Sequence, residues 1–167
     1  DEIAVVHAHQ AEAWSRRAGG AGTLRGAGTL REAEAAYRRA IAVNGSDPVT
    51  RHELARLYLA NPAVWGNAGT AAAIAQLGAA LAQNPHYAEI QNDLGVALLR
   101  SGDREGAIEA FRRASEGRRE FVDPLLNLAA LSLERGDRVE ARSYVERALT
   151  RDPRSSRALA LGARLED

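Results

Sequence analysis

The chain repeats itself at a spacing of 34 residues. Gly102 and Gly136, Ala107 and Ala141, Phe111 and Val145, and Ala114 and Ala148 all stand at that one offset. A repeat of this length is one small structural unit that cannot bury its apolar side alone, so its copies must stack on one another. Each copy carries Leu followed by a small residue, then Gly-Asp, then a second apolar set. The first copy reads Asn92-Asp93-Leu94-Gly95-Val96-Ala97-Leu98, Ser101-Gly102-Asp103, Ala107-Ile108, Phe111 and Ala114. The second reads Asn127-Leu128-Ala129-Ala130-Leu131, Arg135-Gly136-Asp137, Ala141, Val145, Ala148-Leu149 and Asp152-Pro153.

These residue types predict paired helices. Aromatic residues make up 5% of a chain rich in Ala and Leu, which suits close helix contacts better than a β-sandwich. Small residues such as Gly95, Ala129, Ala107 and Ala141 let two helix axes approach to about 8–10 Å, and Leu94, Leu98, Phe111, Leu128, Leu131 and Val145 fill the ridges between them. Gly102 and Gly136 free the backbone to reverse, and Asp103 and Asp137 can accept from the first open N–H groups of the next helix. Asp47-Pro48 and Asp123-Pro124 place an acceptor at a cap and a proline at the first helical position. Helices are therefore expected to restart near residues 48, 88, 104, 122 and 138.

The period, the Leu-small pair, the Gly-Asp turn, the Ala-x-x-x-aromatic-x-x-Ala second helix and the closing Asp-Pro together resemble the tetratricopeptide repeat. The likeness extends backward through Leu54-Ala55-Arg56-Leu57-Tyr58 with Ala73-Ile74, Leu77, Ala80-Leu81 and Asn84-Pro85, and then through Ala11-Glu12-Ala13-Trp14 with Ala33, Tyr37 and Ala40-Ile41. It implies an all-α fold, a right-handed superhelical solenoid of four hairpins over residues 2–45, 48–85, 88–121 and 122–153, forming a single domain over residues 1–167. Residues 155–166, with Ala158, Leu159, Leu161 and Leu165, read as a helix capping the last apolar face, or as the first helix of a further repeat.

Two hairpins carry enlarged turns. In the first, Gly20-Ala21-Gly22-Thr23-Leu24-Arg25 is followed at once by its copy Gly26-Ala27-Gly28-Thr29-Leu30-Arg31. Thr29 with Glu32 reads as a capping box that opens the second helix, whereas Thr23 lacks the Glu and is expected to stay in a loop. In the second, Asn61 to Gly69 is expected to loop out on the same edge, so the two insertions should be neighbours. Trp65 then either forms a lip toward a partner or folds back on its own helices.

Chemistry finds little to stand on. There is no Cys for a disulfide, a thiolate metal site or a nucleophile, which leaves cytoplasm and periplasm equally open. His7 and His9 point about 200° apart on a helix, and His52 and His86 lack ligand-spaced companions, so no metal is expected. Glycines 20, 22, 26 and 28 lack the Gly-Lys-Ser/Thr of a phosphate loop, since every basic residue is Arg, and neither that loop nor a dinucleotide fingerprint is indicated. No constellation assigns acid, base and nucleophile roles, and the chain is expected to be no enzyme and to hold no cofactor. The 22 basic and 22 acidic residues cancel, which argues against nucleic acid, and no apolar run is long enough to insert in a membrane. All-Arg basic content fits a GC-rich bacterial coding sequence. The start at Asp1, without Met, implies a removed leader or a fragment.

Function is thus expected in protein binding. The resemblance implies that first helices line an inner face, offering Val49, His52, Arg56 and Leu59, then Glu89, Asn92, Val96 and Leu99, then Asp123, Leu126, Ala130 and Leu133. For the carboxylate clamp of chaperone-binding relatives only Asn92 fits, because Glu89, Asp93 and Val96 stand where polar or basic groups would be wanted. Val96, Leu99, Leu126, Ala130 and Leu133 form an apolar strip suited to an amphipathic helix or peptide, or else pack between neighbouring helices. With Asn92, His52, Arg56 and Trp65 they are the candidate partner-binding residues. A self-assembling module, or a helper domain of a larger enzyme, is the alternative to an adaptor.

Overall fold

In a computed structural model of the chain, the described residues are Ile3, Val5, Val6, Ala8 and His9, residues 24–118 and residues 120–166. All their regular structure is helical, with no strand among them. The chain divides into two compact units, Asp1–Pro85 and His86–Asp167. His7, Ala11 to Trp14 and residues 20–23 of the duplicated hexapeptide lie outside the described residues, and so does any meeting of the two insertions.

The first unit contains α1 (Leu24–Val43), α2 (Pro48–Ala60) and α3 (Pro62–Gln83). Pro48 presets the backbone of the first turn of α2, and the Asp47 carboxylate accepts from the N–H groups of Val49 and Thr50 at 3.0 and 3.1 Å. Arg51 fastens the preceding turn by donating Nε and NH2 to the Gly45 carbonyl, while its NH1 reaches Gln76 Oε1 on α3 at 3.0 Å. Leu30, Ala33, Tyr37 and Ala40 of α1, Leu54 and Tyr58 of α2, and Ala73, Leu77 and Ala80 of α3 are all buried.

Two expectations fail here. The capping box does not open α1, which already runs from Leu24, with Thr29 inside it. A helix continued backward needs no new nucleus, so Gly26 and Gly28 cost only their own propensity, about 1 kcal/mol each. Nor is Asn61 to Gly69 a loop. Pro62 opens α3 directly after Asn61, and the interruption shrinks to Gly66 at φ 52° and ψ −140°, a conformation that strongly favours glycine.

The second unit contains α4 (Ala88–Ser101), α5 (Arg104–Glu116), α6 (Asp123–Glu134), α7 (Arg138–Arg151) and α8 (Ser156–Glu166). Gly102 and Gly136 take φ of 91° and 79°, and Asp103 and Asp137 accept from the N–H groups of Gly106 and Glu140, each at 2.9 Å, as expected. Asp123 departs from expectation. It is the first residue of α6 rather than its cap, and its carboxylate accepts from Arg157 on α8 instead. Ala107, Phe111, Leu125, Leu128, Ala129, Ala141, Val145 and Ala148 form one core, joined by Ala158, Leu161 and Leu165 of α8, while Leu159 faces water.

Candidate interaction surface

Three helices of the second unit, α4, α6 and α8, share a row of polar side chains. Asn92 Nδ2 donates to Asp93 Oδ1 at 3.3 Å, and Asn92 Oδ1 accepts from Asn127 Nδ2 at 3.0 Å. Asn127 Oδ1 in turn accepts from Arg157 NH2 at 2.6 Å, while Arg157 NH1 donates to Asp123 Oδ1 at 3.2 Å. Donation therefore runs one way, from guanidinium through two amides to a carboxylate, an order in which each bond polarises the next. Asn92 is buried and its amide is satisfied by protein, so its role as a partner contact gives way to one in this row. Beside the row, Arg118 NH1 reaches Glu89 Oε1 at 2.8 Å across an exposed gap.

The apolar strip divides. Leu126 is 1% exposed and belongs to the core, so it offers nothing to a partner. Val96, Leu99 and Leu133 pack against that core with part of each side chain still open, and Ala130 is half-buried.

The remaining candidates lie in the first unit. His52 is half-buried, and Arg56 is exposed with NH1 3.3 Å from Glu53 Oε1. Trp65 has folded back. Its ring meets Tyr58 edge to face at 5.2 Å between centroids, and Nε1 donates to Glu34 Oε2 at 3.3 Å. Gly69 leaves the room this needs, since a Cβ there would fall 2.5 Å from the Trp65 Cβ. Tyr58 lies about 120° around α2 from His52, so Trp65 and His52 do not share a surface.

The same carboxylate serves two more donors. Glu34 Oε1 accepts from the Tyr58 hydroxyl at 2.8 Å and from Arg38 Nε at 3.0 Å. Burial, with Glu34 beside it, raises the Tyr58 phenol above its ordinary range. Tyr58 and Glu34 hold Arg38 still more firmly protonated. Sequence reasoning missed Glu34, Asn127 and Arg157. Of these only Asn127 carried a signal, standing 34 residues after Asp93 and next to Leu126 of the inner face expected for its helix.

Among the described residues no three His, Cys, Asp or Glu side chains are grouped to hold a metal, and no helix is long and apolar enough to cross a membrane.

The sequence pattern of the tetratricopeptide repeat matches residues 98–165 and, separately, residues 62–120. The chain belongs to the tetratricopeptide repeat family. A TPR repeat-containing protein of Pseudomonas aeruginosa is 38% identical over 117 residues, covering 70% of this chain and 45% of that protein. The chain thus spans somewhat under half the length of this curated relative. Solved tetratricopeptide folds are similar. MamA superposes with a TM-score of 0.78 at 18% identity, over 98% of this chain and 81% of its own. A tetratricopeptide repeat protein from Parabacteroides merdae gives 0.76 at 16%, over 99% and 60%. PilF of Pseudomonas aeruginosa gives 0.71 at 20%, over 95% and 68%. The tetratricopeptide fold is that of a protein-interaction module, and its bearers are generally non-enzymatic scaffolds that bind proteins or peptides. A bacterial relative fits the all-Arg basic content.

Proposed function

We propose that the chain is an adaptor, without catalysis of its own, that holds a peptide or helix of a partner protein against the α4–α6 face of its second unit. The observation that carries this reading is the incomplete burial of Val96, Leu99, Ala130 and Leu133 beside the hydrogen-bonded row of Asn92, Asn127 and Arg157. Open apolar side chains next to a rigid polar row give a partner burial energy from one and register from the other. Leu126 takes no part, and His52, Arg56 and Trp65 are left outside the site.

The test compares capture of proteins from source lysate by the intact chain and by Leu99→Glu/Leu133→Glu, after both give the same helical circular dichroism. A protein held by the intact chain and lost from the variant supports the reading. Equal capture, or none, sinks it.

A further inference from the structure

The turn between α1 and α2 sets a carboxamide beside an open backbone amide. Asn44 stands one residue past the end of α1, and its Oδ1 accepts from Ser46 N at 3.3 Å and from Ser46 Oγ at 2.8 Å. A bond from the residue two places on folds the side chain back over the Gly45 peptide, a turn that asparagine favours. Both donors draw electrons away from Cγ. The Asn44 Nδ2 and the Gly45 N–H donate to no atom among the described residues.

Helix α2 adds a charge from the other side. Arg51 donates Nε and NH2 to the Gly45 carbonyl at 3.2 and 3.0 Å, which fixes its guanidinium beside this residue. A cation so close favours loss of the Gly45 amide proton, because it stabilises the anion left behind. Gly45 brings no Cβ to obstruct attack by its nitrogen, and it is exposed, as is Ser46, so water reaches the turn. The other asparagines lack these conditions. Asn61 and Asn84 precede proline, whose nitrogen carries no proton. Asn67, Asn92 and Asn127 lie within helices, whose dihedrals hold the next nitrogen off the carboxamide.

We propose that Asn44 is a self-modifying site, converted without an enzyme to aspartate and isoaspartate. The Gly45 nitrogen gives its proton to water and bonds to Asn44 Cγ. The Cγ–Nδ2 bond then breaks, and the nitrogen takes a proton from water and leaves as ammonia. A second water opens the cyclic imide at one of its two carbonyls, giving aspartate where the Cγ bond is cut and isoaspartate where the main-chain bond is cut. Either product sets a carboxylate against the C-terminal end of α1, where the helix dipole disfavours it. Isoaspartate also lengthens the main chain just before the carbonyl that Arg51 holds.

Incubation of the full chain at neutral pH, followed by proteolysis and mass spectrometry, tests this. The fragment holding Asn44 should gain about 1 Da and separate into two products, no more slowly than a free peptide of residues 41–49. Gly45→Ala should slow the gain at least about tenfold. That variant should keep the fold, because Gly45 does not take a positive φ and the added Cβ would stand 3.5 Å from the Ile41 carbonyl oxygen and 3.7 Å from Arg51 NH2. Circular dichroism verifies it. No gain at Asn44, a gain slower than in the free peptide, or an equal rate in the folded Gly45→Ala variant overturns the proposal.

Discussion

Trp65 Nε1 donates to Glu34 Oε2 at 3.3 Å, and the other oxygen of that carboxylate accepts from the Tyr58 hydroxyl at 2.8 Å. One side chain of α1 thereby ties down α2 and the opening turn of α3. Glu34→Ala removes the acceptor from a half-buried indole and from a buried phenol, and should cost about 2–3 kcal/mol of stability. Trp65→Phe keeps a ring against Tyr58 and gives up one N–H bond, so about 1 kcal/mol is expected. Urea unfolding of the two variants measures the order. Equal costs would mean that the carboxylate is not the junction.

The raised Tyr58 phenol makes stability depend on pH in one direction. The unfolded chain loses that proton near the ordinary value of 10.0, while burial and the Glu34 hydrogen bond keep it in the folded chain to higher pH. Above that value the unfolded state binds fewer protons, so the contribution present at neutral pH is lost as pH rises. Tyr58→Phe abolishes the titration. Between pH 9 and 11 the unfolding midpoint of the wild type should fall more steeply than that of the variant; parallel falls would contradict the shift.

What could be read from the sequence was local. Gly102 and Gly136 with Asp103 and Asp137 announced their turns because a left-handed glycine and a capping carboxylate act within a few residues of themselves. Asp123 carried the same Asp-Pro signature as Asp47 and behaved otherwise: the helix begins on Asp123 itself, and its carboxylate accepts from Arg157, 34 residues away. Thr29 failed as a start signal because α1 gains its burial beyond it, at Leu30, Ala33 and Tyr37, and extends backward at little cost. The resemblance to the repeat placed Leu126 on the inner face, yet the packing of α6 turned it into the core. Partners such as Glu34 for Trp65 and Asn127 for Asn92 lie 31 and 35 residues apart, and only packed helices bring them within reach.

Arg157 and Asn127 join α8 to α6 by a bond of 2.6 Å. If the row works as a unit, replacing either residue should remove most of what both contribute. Asn127→Ala and Arg157→Ala should each cost about 1–2 kcal/mol, with a coupling of about 0.5–1.5 kcal/mol in the double variant. Thermal unfolding of the cycle gives the coupling directly. Additive losses would reduce the row to independent surface contacts.

Two glycines in helix interiors should respond to alanine with opposite signs. Gly78 in α3 has no atom within 4 Å of where a Cβ would stand, so Gly78→Ala narrows the unfolded ensemble and removes a poor helix former without a clash. About 0.5–1 kcal/mol of added stability is expected. Gly95 in α4 has the Phe111 ring 2.5 Å from the same point, and Phe111 is wholly buried, so neither side can yield freely. Overpacking should make Gly95→Ala cost about 1–3 kcal/mol despite the better propensity of alanine. Phe111→Leu opens room but leaves a cavity, and the two substitutions together should cost less than the sum of their separate losses. Denaturant unfolding of the four variants decides the matter: a stabilising Gly95→Ala, or strict additivity with Phe111→Leu, would mean that the α4–α5 contact is looser than a glycine-to-ring approach requires.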